Sequence, residues 1–193
     1  MRSQSSQRDA LAPLPEFDFL LPVSTLEVRP ARESELEFLA RLAGTAIPGV
    51  KASAEYLEML QSRDPESFFS FLRDGKLIGG CAFLYLNYRG HDALVLDDLN
   101  VSRPDVDHLA AASESPEAIY LWAIAGAGRT ALGSISARLA AARYRSAGIF
   151  TRPVTERGRA LFTSLGFEPA SSWSADLWMY QRRFDQLALD QAA

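Results

Sequence analysis

The sequence predicts an α+β domain, a mixed sheet with helices packed around it, and three observations carry that expectation. Two runs rich in phenylalanine and leucine, Ser67 to Arg73 and Lys76 to Leu86, are joined by Asp74-Gly75, a strong short-range signal for a β-hairpin. An apolar run from Ala118 to Ala125 leads into a glycine break at 126–128 and then an alanine-rich stretch from Thr130 to Tyr144, which reads as a buried strand, a turn and a long helix. The order of all segments is strand, helix, helix, hairpin, central strand, turn, helix, strand, helix, strand, an α+β pattern with one strand-turn-helix at its centre.

Taken in order, Thr25 to Arg29 alternates as a strand and Pro30 stops it. Arg32 to Leu42 places Leu36, Leu39, Ala40 and Leu42 near helical spacing. A second helix is expected from Ser53 to Gln61, with Ser53 at its N-terminus and Tyr56, Leu57 and Leu60 on one face. After the hairpin, Ala93 to Leu99 reads as one more strand, and Ser102 to Pro116 as a loop with a short helical piece around Val106 to Ala112. Beyond the long helix come a strand from Ile149 to Val154, a helix from Glu156 to Leu165 with Thr155 as N-cap and Gly166 closing it, and a last strand from Asp176 to Arg182. Residues 1–22 read as an arm carrying an apolar cluster of Phe17, Phe19, Leu20 and Leu21, residues 23–185 as the domain, and residues 186–193 as a tail.

Composition narrows the function classes. The 193 residues hold 24 acidic and 20 basic side chains, a formal charge of −4, which provides no overall field for nucleic acid or an anionic membrane. No apolar run approaches the ~20 residues that span a bilayer, and the N-terminus lacks the pattern of a secretory signal. Cys81 is the single cysteine, so an internal disulfide and a multi-cysteine metal site are both excluded, and a cytoplasmic setting is expected. His91 and His108 lack a third ligand at a recognisable spacing, so no metal is expected. Cys81, within an apolar strand, reads as a buried thiol. Trp122, Trp173 and Trp178 read as core, and Arg138, Arg143 and Arg145 as a solvated helix face.

The strand-turn-helix points to an anionic ligand. Small residues let the backbone approach a pyrophosphate, and the free N–H groups of the first helical turn face it along the favourable end of the helix dipole. Arg129 adds a charged donor, and Thr130 and Ser134 add hydroxyls. No acidic residue stands between Glu117 and Glu156. The same turn, Gly126-Ala-Gly128-Arg-Thr-Ala131, also satisfies the dinucleotide fingerprint G-x-G-x-x-A. The acid expected ~20 residues further on is missing there, and Arg143 and Arg145 would suit only a 2′-phosphate, which makes an NADP-binding protein the weaker alternative.

Two stretches resemble the GNAT superfamily of acyl-CoA-dependent N-acetyltransferases. Gly128-Arg129-Thr130-Ala131-Leu132-Gly133 sits where that family has its Gln/Arg-x-x-Gly-x-Gly/Ala turn, and the stretch from Gly158 to Pro169 matches its late helix ending in Leu-Gly-Phe. The likeness covers roughly residues 24–183. It implies αβα layers about a mixed, mostly antiparallel sheet, and transfer of an acetyl or short acyl group from acetyl-CoA or another acyl-CoA to a primary amine. The pyrophosphate would lie on Gly128, Arg129, Thr130, Ala131, Gly133 and Ser134, and the pantetheine beside Ala123, Ile124 and Ala125.

The resemblance also marks departures. Gly128 stands where the family has Gln or Arg, with Arg129 one place on, and Ala131 replaces the first motif glycine. The central strand has no acid, which leaves Glu117 at its very edge and the pair Asp97 and Asp98 on the preceding segment, with Asp97 and Asp98 the favoured candidates for taking the amine proton. Phe162 occupies the position of the tyrosine that protonates the departing thiolate, so another group such as Tyr120 or Ser164 serves, or solvent serves, or the thiolate leaves without help. These departures support an alternative, a non-catalytic GNAT-like module that binds acyl-CoA or a protein partner. The acceptor would be a small-molecule or protein amine, and the apolar arm and aromatic hairpin make a homodimer reasonable.

Overall fold

A computed structural model describes residues 25–46, 53–126, 128–139, 141–170 and 176–180. The expected arm, tail and the stretch beyond Tyr180 lie outside the described residues. Seven strands form one sheet in the order β1-β2-β3-β4-β5-β7-β6. They are β1 (Leu26–Pro30), β2 (Phe68–Arg73), β3 (Lys76–Leu86), β4 (Ala118–Ala125), β5 (Gly148–Thr151), β6 (Phe167–Pro169) and β7 (Trp178–Tyr180). The helices are α1 (Glu33–Ala46), α2 (Ala54–Arg63), α3 (Tyr88–Val95), α4 (Gly128–Leu139) and α5 (Glu156–Ser164). Every strand pair is antiparallel except β4 with β5. The mixed, mostly antiparallel sheet is thus the expected one.

Helices cover both faces, which explains why β2 and β3 are buried at nearly every position instead of alternating. On one face Leu36 and Leu39 of α1, Leu57 and Leu60 of α2, and Leu94 of α3 pack on Leu84, Tyr120 and Trp122. On the other, Ala131 and Ile135 of α4 and Phe162 of α5 pack on Phe83, Ile119 and Leu121. Because β4 is central and lined on both sides, its eight residues need no polar alternation.

Local chemistry sets the boundaries. Asp74 and Gly75 both adopt positive φ, 52° and 75°, as a two-residue hairpin turn requires. The Ser53 side chain accepts from the Tyr56 N–H and the Thr155 side chain from the Gly158 N–H, so both expected caps form. β1 runs one residue further than expected because Pro30 occupies its last position, opposite Phe69.

Two expectations are corrected. The run Ala93 to Leu99 is not a strand: Asn87 accepts from the Gly90 N–H at 3.0 Å and starts α3, and Gly90 packs so closely on the His108 carbonyl that a Cβ there would collide with it. The long helix expected to Tyr144 ends at Leu139, and a 3-10 turn at Ala142–Tyr144 follows. That turn withdraws Arg143 from solvent. Its guanidinium donates to Asp64 at 2.5 Å and to the carbonyls of Ala111 and Glu114, and it lies over the rings of Tyr85 and Tyr144. Arg143 is therefore a half-buried tie and not part of a solvated face.

A second charged tie joins β1, α1 and β2. Arg29 donates twice to Glu35, at 2.9 and 2.6 Å, while the Arg32 N–H and the Ser70 hydroxyl donate to the same carboxylate. The Arg29 hydrogen bonds hold the Glu35 carboxyl down at about 2, against an ordinary value of 4.5. A carboxyl with a lowered folded value contributes stability above the ordinary value and loses it as the pH falls through the folded one. Urea unfolding should show Glu35→Gln destabilised by about 1–3 kcal/mol at pH 7. The gap to wild type should shrink between pH 4.5 and 2.

Candidate functional site

β4 changes its surroundings half way along. Against β3 it carries one residue too many: Phe83 faces Leu121 and Ala82 faces Ala123, so Trp122 is bulged out of register. On its other edge the parallel ladder with β5 ends at Leu121 opposite Thr151. The buried Thr151 hydroxyl donates to the Leu121 carbonyl at 3.1 Å and closes that last rung. Beyond it the chain leaves through Arg152 and Pro153 to the start of α5. Trp122 to Ala125 consequently has β3 on one edge and no strand among the described residues on the other, which leaves backbone N–H and C=O groups available to an extended ligand.

The turn after β4 is drawn tightly against β3. Gly126 has φ +89°, and a Cβ there would stand 2.8 Å from the Gly79 Cα and from the Ile78 carbonyl oxygen. A Cβ on Gly79 would in turn strike the Ala125 carbonyl. Two glycines facing each other let the turn pass close against β3 just before α4 begins.

α4 divides its residues sharply. Ala131 and Ile135 are fully buried on the sheet, so Ala131 can offer a ligand only its backbone. Arg129, Thr130, Gly133 and Ser134 are exposed. A Cβ placed on Gly133 would meet nothing within 4 Å, so open space lies beside that position. The first turn of α4 has no acidic side chain. Free N–H groups, one guanidinium, two hydroxyls and a gap beside glycine together fit a pyrophosphate.

The proton-handling candidates fall beside the same opening, though not as a strand would have placed them. Asp97, at the end of α3, has φ 64° and forms an ion pair of 2.5 Å with Arg152, the residue directly after β5. Arg152 also approaches Asp176 at 3.4 Å. Asp98 is exposed next to Asp97. Tyr120 is buried on β4, with its titration pushed up to about 12 by burial and modulated by the charges of Arg152 and Asp176. It stays protonated near neutrality and suits an acid. Ser164 donates its hydroxyl proton to the Leu161 carbonyl at 2.7 Å, and Phe162 is buried edge-on to Phe167. His91 lies against the Phe150 ring.

Sequence reasoning missed Arg152, Asp176 and Thr151. Their signal was weak, for a Thr-Arg-Pro step after a strand is ordinary until the sheet order makes it the end of the β4–β5 ladder. The dinucleotide reading meets a physical objection, because its fingerprint belongs to a parallel doubly wound sheet and this sheet has a single parallel pair.

The sequence matches no family model and no curated protein. Solved structures do match in fold. The loading GNATL domain of CurA from Lyngbya majuscula aligns with TM-score 0.53 at 12% identity, over 81% of this chain and 98% of that one. N-acetylglutamate synthase from Neisseria gonorrhoeae, complexed with coenzyme A and L-arginine, aligns with TM-score 0.51 at 16% identity, over 83% of this chain and 34% of that one. Diaminobutyrate acetyltransferase from Paenibacillus lautus, complexed with L-2,4-diaminobutyric acid and coenzyme A, gives 0.50 at 10%, over 81% and 94%. The chain has the GNAT fold. Within this GNAT fold, the turn of α4, the open half of β4 and the Asp97–Arg152–Tyr120 group lie around the C-terminal ends of β4 and β5. Gly126→Ala should destabilise by about 1–3 kcal/mol through its positive φ and its contact with Gly79, read as a lower midpoint in urea.

Proposed function

We propose that this chain is an acyltransferase that moves a short acyl group from its CoA thioester to a primary amine. The observation that carries the reading is the parting of β4 from β5 after Leu121, immediately beside a helix N-terminus free of acid and flanked by the open side of Gly133. An extended pantetheine can add to the unpaired edge of Trp122 to Ala125 as a short strand would, through amide hydrogen bonds. The pyrophosphate then meets the N–H groups of Gly128 to Ala131, the Arg129 guanidinium and the hydroxyls of Thr130 and Ser134.

In this reading the amine nitrogen attacks the thioester carbonyl, a C–N bond forms, and the C–S bond breaks. Unpaired N–H groups near the Trp122 bulge stabilise the developing oxyanion. Asp98, exposed beside Asp97, takes the amine proton directly or through water, since Asp97 is engaged by Arg152. Tyr120 supplies a proton to the departing sulfur, the role for which Phe162 has no group. The buried Phe162 is also the observation that favours the second reading, an acyl-CoA-binding module without turnover.

Three measurements test this. CoA and acetyl-CoA at ~100 times their dissociation constants should stabilise the protein by about 2.7 kcal/mol in thermal unfolding, and NADPH should not. Gly133→Phe should fold as wild type does, because its Cβ enters open space, yet lose the CoA-dependent shift. Tyr120→Phe should keep that shift while lowering kcat about 10-fold to 100-fold in a CoA-release assay over a panel of amines. Binding without CoA release from any amine would decide for the non-catalytic module, and absence of CoA binding would defeat both readings.

A further inference from the structure

The open half of β4 also forms one wall of an apolar cavity. It lies on the face covered by α1 and α2, among Leu39, Ala43, Leu57, Cys81, Trp122 and Ala125. Among the described residues none of its lining side chains is an acid or a base, and burial pushes the Cys81 thiol well up, so these walls are neutral. The cavity volume is about 40 Å³. That is room for about three water-sized groups.

We infer that this cavity receives the carbon chain of the acyl group, and that the preferred donor is a C3 to C5 acyl-CoA, propanoyl to pentanoyl or a branched equivalent, in place of acetyl-CoA. The inference rests on the acyltransferase reading above. Its ground is continuity: Trp122 to Ala125 present their free backbone edge to the thioester and also line the cavity, so carbons beyond the carbonyl have an apolar space adjoining them. The occupant is the acyl chain and not the acceptor. An ammonium group would lose its hydration among these walls without finding a carboxylate, whereas methylenes gain from burial. Gly80 keeps the sheet floor low, since a Cβ there would stand 2.5 Å from Leu39 Cδ2. Ala43 and Leu42 of α1 line the same space.

The test is calorimetric titration of the full chain with CoA, acetyl-CoA, butanoyl-CoA and octanoyl-CoA. Each buried methylene strengthens binding roughly fourfold, so butanoyl-CoA, with two more, should bind about 15-fold more tightly than acetyl-CoA, and octanoyl-CoA should lose that gain for want of space. Ala43→Leu should remove the butanoyl preference and leave CoA affinity unchanged. Leu42→Ala should move the optimum to a longer chain. Equal affinity for CoA, acetyl-CoA and butanoyl-CoA would overturn the inference and leave the acyltransferase reading standing, as would a loss in Ala43→Leu that affects CoA equally. Failure of every CoA species to bind would remove both.

Discussion

Half of β4 is a ladder on both edges and half is a ladder on one, and the candidate site follows from that change. The bulge at Trp122 and the Thr151 hydroxyl on the Leu121 carbonyl act at adjacent residues. One shifts the register against β3 and the other ends pairing with β5. Two strands that part leave amide groups unsatisfied, and such groups must find water or a ligand. Because β4 is central, the opening falls in the middle of the sheet, between the helices of one face and those of the other, and not on a solvent edge.

The opening needs a rigid surround, and the charged ties sit away from it. Arg143 anchors the 3-10 turn after α4 to Asp64 and to the Ala111 and Glu114 carbonyls, and the Tyr144 hydroxyl donates a hydrogen bond to Glu66 at 2.7 Å. Arg29 and Glu35 fix α1 to the far side of the sheet. Removing one partner of either pair leaves a partly buried charge behind, which costs more than the pair itself is worth. These contacts join segments distant in sequence, and they hold α1 and α4 against strands on either side of the opening.

Much of the fold was legible because its signals are local. Asp74-Gly75, Ser53, Thr155 and Gly166 act within a few residues, and each was read from sequence and found in place. The unbroken apolar run of β4 announced a central strand. α3 was misread because Leu94 and Leu96 can alternate as a strand, while the local Asn87 cap was passed over and the fit of Gly90 against the His108 carbonyl depends on a contact about twenty residues away. The site divides the same way. Gly128 to Ser134 are readable as a turn, whereas Arg152, Asp176 and the Trp122 bulge acquire meaning only from pairing between strands. Phe162 was legible in identity, and the structure adds that it is packed and carries no polar group into the opening.

The Thr151 hydroxyl behaves as an end-stop on a zipper. Whatever enters between β4 and β5 can travel inward only as far as that last closed rung, where the Leu121–Thr151 pairing ends. Rungs are spaced by roughly 3.3 Å along a strand, about the advance of two or three bonds in an extended chain. In the proposed acyltransferase, moving the fork by one residue would displace the thioester carbon by that distance relative to Tyr120 and Asp98. The position of the sheet's fork thus serves as a ruler for the molecule.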